Sequence, residues 1–158
     1  MKKQSLNISA LATPLLIICG LLVSGVSALA DSEDKTCSDK TLRGDYGFAV
    51  EGLVLPVPGV FIPVRGVHLT TFDGNGRLTQ VDHILVNGVS PTLDWTPVTG
   101  TYHLNANCTG TIQLIPSNSP VVNLVIVVVR QGKEIHTVVT APFNGPDRTV
   151  TSVGIKVD

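Results

Sequence analysis

Beyond residue 40 the chain consists of short β-strand patterns that follow one another without any helical pattern between them. Apolar residues alternate or run continuously over about eight such stretches, and turn residues separate them at hairpin spacing. The clearest turn is Asp73-Gly74-Asn75-Gly76, which is typical of a tight β-hairpin. Closure of such a meander removes the edge strands that would otherwise stay unpaired. The sequence therefore predicts an all-β fold, an antiparallel meander of about eight strands closed into a small soluble β-barrel.

The predicted strands cover residues 45–52, 64–72, 77–86, 99–104, 109–115, 121–129, 134–141 and 149–157. Two long connections separate some of them. Residues 53–63 contain prolines that a central strand cannot accommodate, and residues 87–97 contain the only tryptophan, Trp95. The first connection also carries exposed apolar residues, so it is a candidate lid or rim over a cavity.

The pairing of the second and third predicted strands follows from the turn between them. With Phe72 opposite Arg77, each face of the hairpin carries a mixed set of side chains. One face would carry Arg65, Val67, Leu69, Leu78, Gln80, Asp82 and Ile84, and the other His68, Phe72, Val81, His83 and Leu85. A sheet that is wet on one side would show one clean polar face, and neither face is wholly polar. The mixture predicts a barrel with a partly polar interior.

Residues 1–30 have the three parts of a secretory signal peptide. Lys2 and Lys3 form the charged region, residues 15–23 form the apolar region, and Ala28-Leu29-Ala30 is a small-residue cleavage site. The protein is therefore expected to be secreted or periplasmic.

The sequence predicts no membrane span after the signal, and it divides the rest of the chain into a lead-in and one domain. Pro14 and Gly20 interrupt the apolar run of the signal, and a bilayer span needs about 20 continuous apolar residues. We therefore expect no membrane span once the signal is cleaved. Residues 31–40 are charged and polar and are interpreted as a flexible lead-in, and residues 41–158 as a single barrel domain.

The net charge argues against a nucleic-acid partner, and the aromatic content argues against an outer-membrane barrel. The formal net charge is −1, and the signal takes two lysines with it, so the domain has no basic footprint for nucleic acid. An outer-membrane barrel would carry aromatic girdles, whereas aromatic residues make up only 4% of this chain. The last residue is Asp158, whereas the assembly signal of such barrels has a terminal aromatic residue.

Two cysteines, Cys37 and Cys108, remain after signal cleavage. An even pair in a small exported domain usually forms a disulfide. The alternatives are a metal pair or a catalytic thiol, and neither cysteine has a CxxC partner. A disulfide closing about 70 residues would stabilise the fold by roughly 4 kcal/mol.

Three segments carry a resemblance: GDYGF at 44–48, TFDGNG at 71–76, and GTY at 100–102 followed by NCTG at 107–110. Together they resemble small, largely uncharacterised exported bacterial proteins, whose strand plan is similar to the lipocalin and allene oxide cyclase barrels. The similarity covers roughly residues 37–114 and consists chiefly of turn and strand-start residues. It implies a fold rather than an activity, and it brings no catalytic residue with it.

Neither a metal nor a cofactor is indicated. The signatures of serine hydrolases, zinc proteases, P-loops and dinucleotide-binding folds are absent from the sequence. The four histidines, His68, His83, His103 and His136, fall on four predicted strands, and nothing forces them to converge as metal ligands must.

Five ionisable residues are candidates for catalysis. Glu134 and His136 share a face of one strand, and Asp82 shares a face with Arg65 one hairpin away. A buried acid beside such a group can act as a general base, and Glu51 is a further candidate. The alternative is a solvated ladder of opposite charges on the outside of the sheet.

Three functions remain open. The leading hypothesis is a barrel that binds a small apolar ligand, because apolar content is 43% and barrel mouths favour such pockets. Its candidate ligand-binding residues are Tyr46, Phe48, Phe61 and Trp95. The first alternative is an isomerase or cyclase on the same scaffold, by fold analogy. The second is a structural or partner-binding envelope protein.

Overall fold

The computed structural model describes residues 36–90, 94–117, 120–140 and 147–158, without the side chain of Asp147. The predicted signal peptide, residues 1–30, lies outside them. The strands are β1 (Arg43–Leu55), β2 (Ile62–Asp73), β3 (Arg77–Val86), β4 (Thr96–Leu104), β5 (Thr109–Pro116), β6 (Val122–Val129), β7 (Glu134–Thr140) and β8 (Asp147–Lys156). Two helical turns, Asp39–Thr41 and Arg130–Gly132, complete the described elements. Within these ranges no helix has the length and apolarity to cross a membrane.

The eight strands form one closed barrel in chain order. Each strand pairs antiparallel with the next, and β1 pairs with β8 to complete the ring. The predicted all-β fold, an eight-stranded antiparallel meander closed into a barrel, is confirmed. Closure pairs both edges of every described strand, so the barrel presents no free strand edge.

The pairing predicted for the second and third strands is wrong by one residue. Phe72 pairs with Leu78, and His68 pairs with Asp82. The turn is three residues long, because the side chain of Asp73 accepts hydrogen bonds from the backbone N–H groups of Asn75 (2.6 Å) and Arg77 (3.0 Å). A shift of one residue exchanges the faces of a strand. His68 and Asp82, which the predicted pairing placed on opposite faces, therefore both point into the interior.

One end of the barrel is closed by the segment that precedes β1. The hydroxyl of Tyr102 donates to the carbonyl oxygens of Asp39 (2.9 Å) and Leu42 (3.0 Å). The Asp39 carboxylate accepts the backbone N–H of Leu104 at 2.7 Å. The Cys37–Cys108 disulfide, with a Cα–Cα distance of 5.0 Å, confirms the predicted pair. The end of the predicted lead-in is thus fastened across the barrel, and we call this the closed end.

Aromatic rings fill the interior next to the closed end. Tyr46 and Tyr102 each contact Phe72 edge-on, with ring centroids 5.3 Å and 5.0 Å apart. The Tyr46 hydroxyl donates to the carbonyl oxygen of Gly132. Burial raises the pKa of both tyrosine hydroxyls, which therefore act as neutral donors. This half of the barrel is a packed core rather than a cavity.

Candidate functional site

The opposite end of the barrel, which we call the mouth, is the end at which β1, β3, β5 and β7 finish. Inward-facing side chains near the closed end, such as Tyr46 and Ile135, are buried. Many of those toward the mouth are only partly buried, although Val64, Val98 and Val150 are buried there. We call the partly buried inner surface at the mouth the cup. Its apolar wall consists of Val50, Val54, Ile62, Ile84, Leu114, Val122 and Val139. Three ionisable residues share this inner surface: His68, Asp82 and Arg148.

Below the cup the barrel interior is almost filled. A cavity of about 20 Å³ remains, bordered by Phe48 and His68 on one side and by Thr137 and Ser152 on the other. That volume holds about one water molecule. The Thr137 and Ser152 hydroxyls lie 2.7 Å apart and satisfy each other. A ligand larger than water must therefore sit in the cup itself.

A chain of hydrogen bonds leads from the floor of the cup toward the mouth. The Thr70 hydroxyl donates to Gln80 Oε1 at 3.0 Å, and Gln80 Nε2 donates to Asp82 Oδ2 at 3.3 Å. Thr70 has a single hydroxyl proton, so it must accept the proton on His68 Nδ1, which lies 3.0 Å away. This assigns the Nδ1–H tautomer to His68, and Nε2 is then a hydrogen-bond acceptor.

Burial sets the protonation of the two ionisable members of this chain. It lowers the pKa of His68 to about 4, and the ring stacks on Phe48 with centroids 4.3 Å apart. Burial also raises the pKa of Asp82, and the hydrogen bond from Gln80 partly opposes that rise. At neutral pH the imidazole is uncharged, and the carboxylate binds its proton more tightly than an exposed aspartate does.

Arg148 is the second residue of β8, which begins at the mouth. Its side chain lies on the same side of the strand as those of Val150 and Ser152, which are buried inside the barrel. Its Nε atom is buried and has no hydrogen-bond partner. None of the ion pairs among the described residues includes Arg148.

Four of the five candidate catalytic residues lie on the outer surface. Glu51 and Arg65 form an exposed ion pair at 3.7 Å. Glu134 contacts His136 at 2.7 Å and Arg130 at 3.3 Å, also on the outside. Strand alternation directs Glu51, Arg65 and Glu134 away from the interior. Of the five, the structure places only Asp82 inside.

The candidate ligand-binding residues separate into three places. Phe48 lies at the floor of the cup, and Tyr46 lies in the packed core below it. Phe61 and Trp95 are exposed, at 61% and 54%, on the connections at the mouth. Trp95 contacts His83 edge-on, with centroids 6.1 Å apart. Tyr46 and Phe48 are thus in the interior, and Phe61 and Trp95 are on exposed connections.

Sequence reasoning missed His68 and Arg148 as members of the site. The missing signal was parity: Arg148 lies two and four residues before Val150 and Ser152, and so shares their face. For His68, the signal was the length of the Asp73 turn, which decides which residues of β2 point inward.

The outer surface also carries a wide open groove, of about 620 Å³, that crosses β1, β2 and β8. It contains Glu51, Arg65 and His83 among its lining residues. Both members of the ion pair are largely in water, where such contacts contribute little to binding. The cup is the better candidate because its polar groups are desolvated.

The fold defines a class of protein: a small closed antiparallel β-barrel with one end fastened by the segment before β1 and a mainly apolar, partly buried inner surface toward the other. No protein-family model matches the chain, and no curated protein matches its sequence. In the described ranges, no three histidine, cysteine or acidic side chains are grouped as metal ligands.

Proposed function

We propose that this protein is an exported barrel that binds a small apolar ligand in the cup. The observation that carries the proposal is the cup itself, a partly buried inner surface with an apolar wall and a few polar groups. Small-molecule sites have this composition, and the mouths of β-barrels are a common location for them. The resemblance to lipocalin barrels, stated from the sequence motifs, supports the same proposal.

Two features support a location outside the cytoplasm. The Cys37–Cys108 disulfide is consistent with an oxidising environment. The predicted signal peptide at residues 1–30 would deliver the chain to such an environment. We propose that the ligand is met outside the cytoplasm.

A cup-filling substitution tests ligand binding. The neutral fluorescent probe N-phenylnaphthylamine should bind the wild-type protein, and Val139→Trp should weaken binding by about tenfold or more by occupying the cup. Val138→Trp is the matched control, because Val138 is the adjacent residue of β7 and faces outward. Absence of probe binding by the wild type, or equal loss in both variants, would reject the proposal.

The second candidate function is an isomerase or cyclase that uses Asp82 as a general base. The raised pKa of Asp82 and its place inside the cup favour it. The wild type should then catalyse deuterium exchange at the carbon next to the carbonyl of an apolar methyl ketone in D₂O, and Asp82→Asn should abolish that exchange. Exchange at the buffer rate with both proteins would exclude this candidate.

A further inference from the structure

The most exposed large apolar side chains of the described residues lie together at the mouth. At 54% to 67% exposed, they are Val57, Phe61, Val89 and Trp95. They belong to two connections, residues 56–61 between β1 and β2 and residues 87–95 between β3 and β4. These connections are neighbours, because β2 pairs with β3 and the backbone N–H of Asn87 donates to the carbonyl oxygen of Pro63 at 2.8 Å. We call the four side chains the apolar tip.

Hydrogen bonds hold the apolar tip in tight turns. The backbone N–H of Val60 donates to the carbonyl oxygen of Val57 at 3.1 Å. Val86 and Val89 exchange two backbone hydrogen bonds, at 2.9 Å and 3.1 Å. These backbone groups have partners inside the protein, so they lose less free energy on leaving water than groups that bond only to water. Both turns can therefore enter an apolar medium as they stand.

Charged residues lie below the apolar tip rather than within it. Residues 52–64 contain no charged residue, and the exposed Glu51–Arg65 ion pair flanks them. Glu51 is four residues before Leu55, the end of β1. That separation is about 13 Å along the strand and about 10 Å along the axis of a barrel with tilted strands. Segments that lie on a membrane surface bury their apolar side chains about 5–10 Å deep, which matches this uncharged height.

The barrel is thus polarised along its axis. Five strand ends at the closed end are charged residues, namely Arg43, Asp73, Arg77, Glu134 and Lys156. At the mouth, residues 56–61 and 87–95 contain no lysine or arginine and a single acid, Asp94. Anionic lipids attract basic segments, so the charges at the mouth do not complement an anionic surface. They are compatible with a neutral, zwitterionic one.

From this arrangement we infer that the protein docks on a zwitterionic lipid bilayer through the apolar tip, with its closed end in water. The indole of Trp95 and the ring of Phe61 would lie at the head-group level, where aromatic side chains are favourably placed. The inference goes beyond the proposed ligand binding and does not depend on it. It concerns the exposed turns, whereas the ligand proposal concerns the inner surface.

A lipid surface fits the apolar tip better than a second copy of this chain does. Two-fold association requires one surface to be complementary to itself. The apolar tip consists of side chains at the ends of two turns, and fluid lipid accommodates such projections without a matching recess. Self-association is therefore treated as an outcome of the test.

Trp95, the only tryptophan of the chain, reports docking without a label. Exported protein, with its N-terminus checked by mass spectrometry, is mixed with phosphatidylcholine vesicles. The emission of Trp95 should shift to shorter wavelength. Lipids brominated near the head group should quench this emission more than lipids brominated near the ends of the acyl chains. This measurement uses the wild type, so it holds even if a variant does not fold.

Two valine variants locate the docking surface. Val89→Asp should lower the vesicle partition coefficient by about tenfold, because an apolar contact is lost and a charge is added. Val157→Asp is the matched control, since Val157 is also exposed but follows β8 at the closed end. It should bind vesicles as the wild type does. Circular dichroism melting checks that both variants are folded.

Four results would overturn the inference. They are an unchanged Trp95 emission with vesicles, equal partitioning of the two valine variants, binding to anionic but not to phosphatidylcholine vesicles, and a shift of Trp95 emission with protein concentration alone. The last, together with a doubled mass in light scattering, would assign the apolar tip to a second copy of the chain. None of these results bears on probe binding in the cup, which Val139→Trp tests separately.

Discussion

His68 couples the interior of the barrel to the pH of the solvent. Its pKa is lowered by burial to about 4 from an ordinary value of 6.5. Above pH 6.5 the imidazole is neutral in both folded and unfolded chains, so it has no effect on stability. As the pH falls below 6.5, the unfolded chain takes up a proton that the folded chain does not, and the fold loses stability until about pH 4.

The expected loss from His68 is about 2.5 kcal/mol between pH 7.5 and pH 4.5. His68→Gln should remove this pH dependence, whatever its effect on stability at neutral pH. Urea denaturation of both proteins at the two pH values measures the difference. Equal losses of stability toward acid in the wild type and the variant would contradict the lowered pKa of His68.

Asp82 should act in the opposite direction. Its pKa is raised in the folded chain, so folding becomes more favourable as the pH falls through that folded pKa. Asp82→Asn should therefore lose more stability toward acid than the wild type does. The same denaturation experiment separates the two residues, because they change the dependence of the free energy of unfolding on pH in opposite directions.

Glycines lie where neighbouring strands of the barrel come close together. Gly100 of β4 is buried, and a Cβ atom there would overlap the carbonyl oxygen of Gln113 on β5. A Cβ atom at Gly110 of β5 would likewise overlap the carbonyl oxygen of His103 on β4. These two strands therefore approach each other more closely than side chains would allow.

Gly100→Ala should destabilise the barrel by about 2 kcal/mol, because the added methyl group must displace backbone atoms. Gly47→Ala is the matched control: Gly47 is also a strand glycine, but a Cβ atom there would have no heavy atom within 4 Å. Thermal unfolding of the two variants checks this. Similar midpoints for both would show that the close approach of β4 and β5 is not required.

The two ends of the whole molecule differ in construction. The closed end is fastened by the disulfide and by Asp39, whereas the mouth exposes apolar side chains such as Phe61 and Val89. The mouth therefore presents apolar surface next to the cup, and the disulfide and the hydrogen bonds of Asp39 are at the other end. Binding and stability can thus be altered separately.

The disulfide links residues 71 positions apart, so it should stabilise the fold by about 4 kcal/mol through the entropy of the unfolded chain. The Cys37→Ser and Cys108→Ser double variant should lose most of that stability while it still binds the neutral probe. Denaturant unfolding with and without reductant provides the control. Reductant should lower the midpoint of the wild type only; an effect of similar size on the variant would contradict the prediction.

The architecture could be predicted because its signals are local. Residues 77–86 were predicted as a strand, and β3 spans Arg77–Val86. Alternating apolar residues and turn sequences act over a few neighbouring positions, and an even cysteine pair after a predicted signal peptide indicates a disulfide. Strand number, strand order and the Cys37–Cys108 pair therefore followed from the sequence alone.

The contents of the cup depended on the tertiary structure. A turn shorter by one residue at Asp73 reverses the faces of the paired strands, so it decides that His68 and Asp82 point inward. Closure between β1 and β8 then places Arg148 on the same inner surface, far along the chain from both. Local sequence determined that a barrel forms, while the register and closure of its strands determined which charges it encloses, because a charge's surroundings are set by residues distant in sequence.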